Sequence, residues 1–203
     1  MAGELEDIGT RLREERERKR ISQRELARRL GLSASLISQI ESGQSKPSVS
    51  TLYGIVTELG VSVDSVFRGH EHDGDGGGRA RAEGPRDAGD APPVVRPADR
   101  HVIELDSGVR WERLTSHERE DVDFLHVIYD VGGSSASDKR LMRHSGREYG
   151  FVISGRLGVR LGFEEHDLGP GDSIAFDSTV PHLLWNKGDE PVHGIWFIVG
   201  RDG

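Results

Sequence analysis

Residues 69–99 read GHEHDGDGGGRARAEGPRDAGDAPPVVRPAD, and large apolar side chains are nearly absent from them. Such a segment buries too little surface to offset its ordering entropy, so it reads as a flexible linker. It leaves two small domains, residues 1–68 and 100–203, within the 203-residue chain. His70 and His72 lie beside acidic residues. They read as solvated linker residues rather than metal ligands.

The apolar pattern changes across this gap. Before it, Ile8 and Leu12 stand four apart, as do Leu26 and Leu30, and Leu36 and Ile40, while Leu52, Ile55, Val56 and Leu59 make another helical stripe. After it come short apolar runs such as FLHVIYDV, YGFVISG, RLGVRLGF, DSIAFD, HLLWN and GIWFIVG, separated by Gly, Pro, Asp and Ser. Short strands at close spacing predict an antiparallel sandwich or barrel.

Charge divides in the same place. Residues 1–68 carry 11 Lys+Arg and 10 Asp+Glu, out of 27 and 35 in the whole chain, so the acidity lies in the C-terminal part. The near-neutral N-terminal balance is weak support for nucleic-acid binding. With no cysteine present, disulfides, thiolate zinc sites and thiol catalysis are excluded, which fits a cytoplasmic protein. The polar N-terminus is not a signal peptide, and no apolar run is long enough for a bilayer.

Ser22 to Glu41, SQRELARRLGLSASLISQIE, is the most informative stretch. Ser22 suits the N-cap of a second helix, with Glu25 completing a capping box. That helix would bury Leu26, Ala27 and Leu30, and Gly31 would end it in the left-handed conformation. Ser33 then caps a third helix with Leu36, Ile37 and Ile40 inward. Two short helices joined through a glycine turn form the helix-turn-helix plan, whose second helix lies in the DNA major groove. The run Arg11–Arg20 reads as the solvated face of helix one.

This segment resembles the Cro/phage-repressor (XRE-type) helix-turn-helix family. Ser22-Gln23, Leu26-Ala27, Gly31, Ser33, Ile37, Ile40-Glu41 and Gly43 carry the match, and Pro47, Leu52, Leu59-Gly60-Val61 and Val66-Phe67 continue it. The resemblance covers residues 8–67 and implies five helices. It also implies DNA contacts from Gln23, Ser33, Ala34, Ser35, Ser38 and Gln39, with Arg16 and Glu41 as a structural ion pair. Gln23 and Ser33 stand at helix N-termini suited to phosphate oxygens, and Ser35, Ser38 and Gln39 can reach base edges.

In the C-terminal part, Met142-Arg143-His144-Ser145-Gly146-Arg147-Glu148 leads to Gly155, and Gly171-Asp172 leads to Pro181-His182 and Asn186. If each connection stays extended, His144 and Glu148 share one face, as do His182 and Asn186. These segments resemble the two cupin motifs, over residues 120–200. The resemblance implies a double-stranded β-helix barrel with His144, Glu148 and His182 as metal ligands. Met142 stands where the family motif has its leading histidine. Two histidines and a carboxylate make the facial-triad composition of non-haem iron sites, and they also suit zinc, nickel or manganese. A barrel that has lost its metal and binds an organic effector is the alternative. Met142, Tyr149 and Asn186 are assigned to the effector pocket. Arg143, Arg147, Arg160, Trp185 and Trp196 are weaker candidates, and Trp185, Trp196 and Phe197 read better as barrel core or dimer interface.

The expected protein is α+β and multidomain, with five N-terminal helices, a linker and an all-β cupin barrel. Its expected function is regulation rather than catalysis: a homodimer on operator DNA, answering to a small molecule or metal in the barrel. The flexible linker argues against rigid coupling, so communication would need docking between the domains or a change of oligomeric state. The same plan also resembles a mononuclear iron epoxidase of phosphonate antibiotic synthesis. A catalytic helper domain should show a reactive lysine near the start of helix two, where this chain has Ser22-Gln23-Arg24.

Overall fold

The computed structural model describes residues 2–67, 93–116 and 122–200. His70, His72 and most of the expected linker lie outside them. Residues 97–99 of that expected linker form a short 3-10 turn, Pro97–Asp99, that leads into the barrel.

Among its described residues the N-terminal domain has four α-helices, α1 (Ala2–Arg18), α2 (Gln23–Leu30), α3 (Ala34–Glu41) and α4 (Val49–Leu59). The expected fifth helix is instead the 3-10 turn Asp64–Phe67. Val66 N–H donates to the Val63 carbonyl three residues back at 2.9 Å, the 3-10 pattern, and Val66 and Phe67 are buried. Serines open three of the helices. The Oγ atoms of Ser22, Ser33 and Ser48 accept from the backbone N–H groups of Glu25, Leu36 and Thr51, which satisfies donors the helix leaves unpaired. The other half of the capping box is not formed, because the Glu25 carboxylate takes hydrogen bonds from Arg28 and Arg29. Those two guanidiniums hold it down to about 2. Gly31 ends α2 with φ 66°, as its place in the sequence requires.

Among the described residues the C-terminal domain has nine antiparallel strands in two sheets. The larger follows the order β1 (Val102–Leu105), β2 (Val109–Arg113), β3 (Val122–Tyr129), β9 (Val192–Val199), β4 (Arg147–Ser154), β7 (Ser173–Asp177). The smaller follows β6 (Glu164–Leu168), β5 (Leu157–Leu161), β8 (His182–Asn186). Their inner faces meet through Ile103, Leu125, Val127, Val152 and Trp196 on one side and Leu157, Val159 and Leu184 on the other. Along β4 burial alternates strictly from Arg147 to Val152, so Glu148 points in while Tyr149 and Phe151 point out.

The two domains are docked. Asp106 N–H donates to the Pro47 carbonyl at 2.8 Å, and Ser50 N–H donates to the Ser135 carbonyl at 3.0 Å. Lys46 pairs with Glu104, and the Arg113 guanidinium lies 5.9 Å from the centre of the Phe67 ring. Buried residues of both domains belong to one continuous cluster. The folded parts pack directly on each other, which is the docking expected from the sequence as one of two routes of communication.

Candidate functional site

On the helical domain, α3 turns Ile37 and Ile40 inward and leaves Ser35, Ser38 and Gln39 exposed. Ser33 is exposed with its hydroxyl oxygen engaged as the helix cap, and Ala34 is half-buried. Gln23 opens α2, and its amide donates to Glu41 Oε2 at 2.8 Å. It thereby braces the pair in which Arg16 grips Glu41 through Nε–Oε1 at 2.6 Å and Nη2–Oε2 at 2.9 Å. The side chains of that pair are 8% and 4% exposed, so it holds α1 to α3. The Arg16 guanidinium is pushed above its ordinary value, chiefly by its hydrogen bond to Glu41.

In the barrel, His144, Glu148 and His182 are all buried, and one ligand atom from each lies within 4.8 Å of the others. Glu148 and His182 sit on β4 and β8, strands of opposite sheets. His144 sits ahead of β4, where the chain bends through Gly146 at φ 105°, so the connection is not extended as expected. His144 Nε2 lies 3.0 Å and His182 Nε2 3.2 Å from Glu148 Oε1. The other ring nitrogens face carbonyl oxygens, His144 Nδ1 that of Ser145 at 3.0 Å and His182 Nδ1 that of Val180 at 2.8 Å. A carbonyl accepts only, so each Nδ1 carries the proton and each Nε2 presents a lone pair. Trp196 Nε1 donates to Glu148 Oε2 at 2.8 Å, which leaves Oε1 facing the imidazoles.

Three buried acceptor atoms therefore converge with no hydrogen-bond donor among them. That arrangement is repulsive without a cation and fits a divalent transition metal. Burial pushes the Glu148 carboxyl up, and the Trp196 indole, which donates to Oε2, is among the groups that outweigh it and hold it below the ordinary value. Burial is also the largest influence on His182 and lowers it, which favours the neutral ring.

A cavity of about 20 Å³ adjoins Glu148 and is lined by Tyr53, Trp111, Tyr129, Met142 and Trp196, among others. Burial and the nearby Glu148 carboxylate raise the Tyr129 phenol well above its usual value. Of the three residues assigned to the effector pocket, Met142 lines this cavity. Tyr149 does not: it is 42% exposed on the outer face of the sheet, because it follows inward-facing Glu148 in a strand of period two. Nor does Asn186, whose Nδ2 donates to the carbonyls of Tyr129, Asp130 and Glu190 while Oδ1 accepts from Gly188 N–H. It ties loops together. Of the weaker candidates, Arg143 and Arg147 are exposed and Arg160 pairs with Glu165.

Sequence reasoning undervalued one residue here and missed another. Trp196, read as core or interface, is core but also bonds to a candidate ligand. Tyr53 comes from the other domain, and no local pattern marks it.

These two sites, a helix-turn-helix face and a barrel with a buried His-Glu-His group, define the class. A helix-turn-helix family model matches residues 12–66 and a cupin domain model matches residues 125–198. The chain therefore carries an N-terminal helix-turn-helix domain and a C-terminal cupin domain. It is 28% identical to the HTH-type transcriptional regulator PuuR of Escherichia coli (strain K12), over 88% of this chain and 86% of that one. To the HTH-type transcriptional regulator SutR of the same organism it is 24% identical, over 92% and 90%. A crystal structure of an HTH_3 family transcriptional regulator from Vibrio cholerae matches with TM-score 0.65 and 18% identity, covering 98% of each chain.

Proposed function

We propose that this chain is a cytoplasmic, sequence-specific DNA-binding transcriptional regulator. In this reading it works as a homodimer and its cupin barrel senses a divalent metal or a small effector. The observation that carries it is the face of α3: Ser35, Ser38 and Gln39 stand exposed opposite Ile37 and Ile40, with the helix held at a fixed angle by Arg16–Glu41. The near full-length likeness to two transcriptional regulators supports it. Gln23 and Ser33 would meet phosphates, Ala34 would lie against the groove wall, and Ser35, Ser38 and Gln39 would reach base edges. A dimer would set two such helices on paired half-sites.

In the barrel, His144, Glu148 and His182 would hold iron, zinc, nickel or manganese. When bound, the metal supplies a Lewis-acid centre with open positions for an effector's donor atoms. Met142 and Trp196 shape the wall beside it.

The same donor set serves mononuclear iron oxygenases, and one experiment separates the readings. Metal-stripped and metal-loaded protein are titrated in parallel against the DNA upstream of the protein's own gene in a gel shift. The regulator reading expects salt-sensitive, specific retardation, lost in Ser35→Glu because a carboxylate would face phosphates. Retardation that changes with metal makes the metal the signal, and retardation indifferent to metal points to an organic effector. Absence of specific binding in both states, with iron-dependent oxygen consumption, would establish the enzyme instead.

A further inference from the structure

Tyr53 belongs to the helical domain but sits in the barrel. It is 3% exposed. Its ring stacks on the His144 imidazole, with centroids 4.1 Å apart and planes 5° from parallel, and it meets Trp111 edge-on at 5.6 Å. With this ring in place, the cavity beside Glu148 measures about 20 Å³. That is little more than a single water requires. A metal ion with a water fits there, and an organic molecule does not.

The ring is attached to the DNA-reading half through α4. Leu52, Ile55, Val56 and Leu59 of that helix are each no more than 2% exposed and pack in the helical core, while Val49 and Tyr53 line the barrel cavity. Lifting α4 from the barrel therefore carries the whole helical domain, α3 included. Two amides mark the seam, because Ser50 N–H and Asp106 N–H each donate across it.

We propose that Tyr53 is the size gate of the barrel site, supplied by the DNA-reading domain. Any ligand larger than a water reaches His144, Glu148 and His182 by displacing this ring, and it undocks α4 as it enters. The inference rests on the reading of the barrel as a sensor site, and it gives that sensor its route to DNA. Occupancy and docking oppose each other, and by linkage whatever stabilises the docked arrangement weakens the ligand by the same factor.

The test uses the full chain as wild type, Tyr53→Phe and Tyr53→Ala, loaded with Co(II), with imidazole as the added ligand. Visible absorption reads imidazole binding at the cobalt, and amide hydrogen exchange reads the seam. Tyr53→Ala is expected to bind imidazole about tenfold or more tightly than wild type, and Tyr53→Phe, which keeps the bulk, to match wild type. Saturating imidazole is expected to speed exchange at Ser50 and Asp106 in the wild type and to leave Leu26, inside the helical domain, protected. Equal imidazole affinity in all three proteins, or a seam still protected at saturation, overturns the gate. If Co(II) does not bind, the metal reading fails by itself. The gate is then read by acrylamide quenching of Trp111 and Trp196, which must rise in Tyr53→Ala alone, and unchanged quenching overturns it. Tyr53→Leu serves the same comparison if the alanine variant does not fold.

Discussion

Trp196 Nε1 donates a 2.8 Å hydrogen bond to Oε2 of Glu148, and the second oxygen of that carboxylate faces His144 and His182. Hydrogen bonds behind a metal ligand fix its orientation, and their loss typically costs about 10–100-fold in metal affinity. Trp196→Phe keeps most of the ring and removes the donor. Calorimetric titration with Zn(II) is expected to show a weakening of that order with the fold intact. Wild-type affinity in the variant would show that the carboxylate is oriented by other contacts.

Gly150 leaves room for the same indole. A Cβ at Gly150 would lie 2.3 Å from Cη2 of Trp196 and 2.5 Å from two further ring atoms. Gly150→Ala must push the ring off Glu148, so it is expected to cost about 1–3 kcal/mol and to weaken metal binding as well. Denaturant unfolding and metal titration of one variant read both effects. A loss of stability without a loss of affinity would separate the packing of Trp196 from its hydrogen bond.

The Arg16–Glu41 pair holds α1 against α3 with little solvent access. Removing one partner leaves a buried charge, so Glu41→Ala is expected to destabilise the helical domain by about 3–5 kcal/mol. It also strips Gln23 of its acceptor. The apolar pair Arg16→Met with Glu41→Leu should recover most of the loss in urea denaturation. If it recovers none, the geometry of the ion pair itself is required.

Gln39 is exposed on α3 and carries an amide suited to bidentate adenine contact. Gln39→Ala is expected to cost about 1–3 kcal/mol on the preferred operator and to relax preference at one base pair per half-site. Fluorescence anisotropy on single-base operator variants measures it. A uniform loss on every sequence would make Gln39 a backbone contact instead.

His193 gives the barrel a pH dependence away from the candidate metal centre. Its Nδ1 lies 3.1 Å from His126 Nε2, and His126 Nδ1 lies 3.0 Å from Glu112. Burial first, then the charges of His126 and Arg110, hold His193 below its ordinary value, although Glu112 and Asp130 oppose them. The unfolded chain, with a histidine value of about 6.5, then takes up this proton more readily than the folded one. Stability from this residue is intact above that pH and declines as pH falls through it toward the folded value. The melting temperature of His193→Asn is expected to fall less steeply than wild type between pH 7.5 and 5. Parallel curves would show that His193 titrates alike in both states.

Much of this was legible in one dimension. The serine caps, Gly31 and the stripes of α2 and α3 depend on neighbours within a turn. The six apolar runs after the gap correspond to β3, β4, β5, β7, β8 and β9. Strand β6, EEHDL, carried no signal because four of its five residues are exposed. Tyr149 was misplaced although the period of a strand sets it opposite Glu148, so that correction was available from the sequence. The role of Asn186 was not, since two of its three carbonyl partners, Tyr129 and Asp130, lie far away along the chain.

By itself the sequence determined the two-part plan and the helix-turn-helix, because periodicity and capping are local, and its resemblance to the cupin motifs pointed to His144, Glu148 and His182. Only the tertiary structure decided that His144 Nε2 and His182 Nε2 meet one oxygen of Glu148, and that a tyrosine of the helical domain stacks on His144. Those relationships join residues from opposite sheets and from separate domains. They depend on how hydrophobic surfaces pack in three dimensions, which no spacing along the chain encodes.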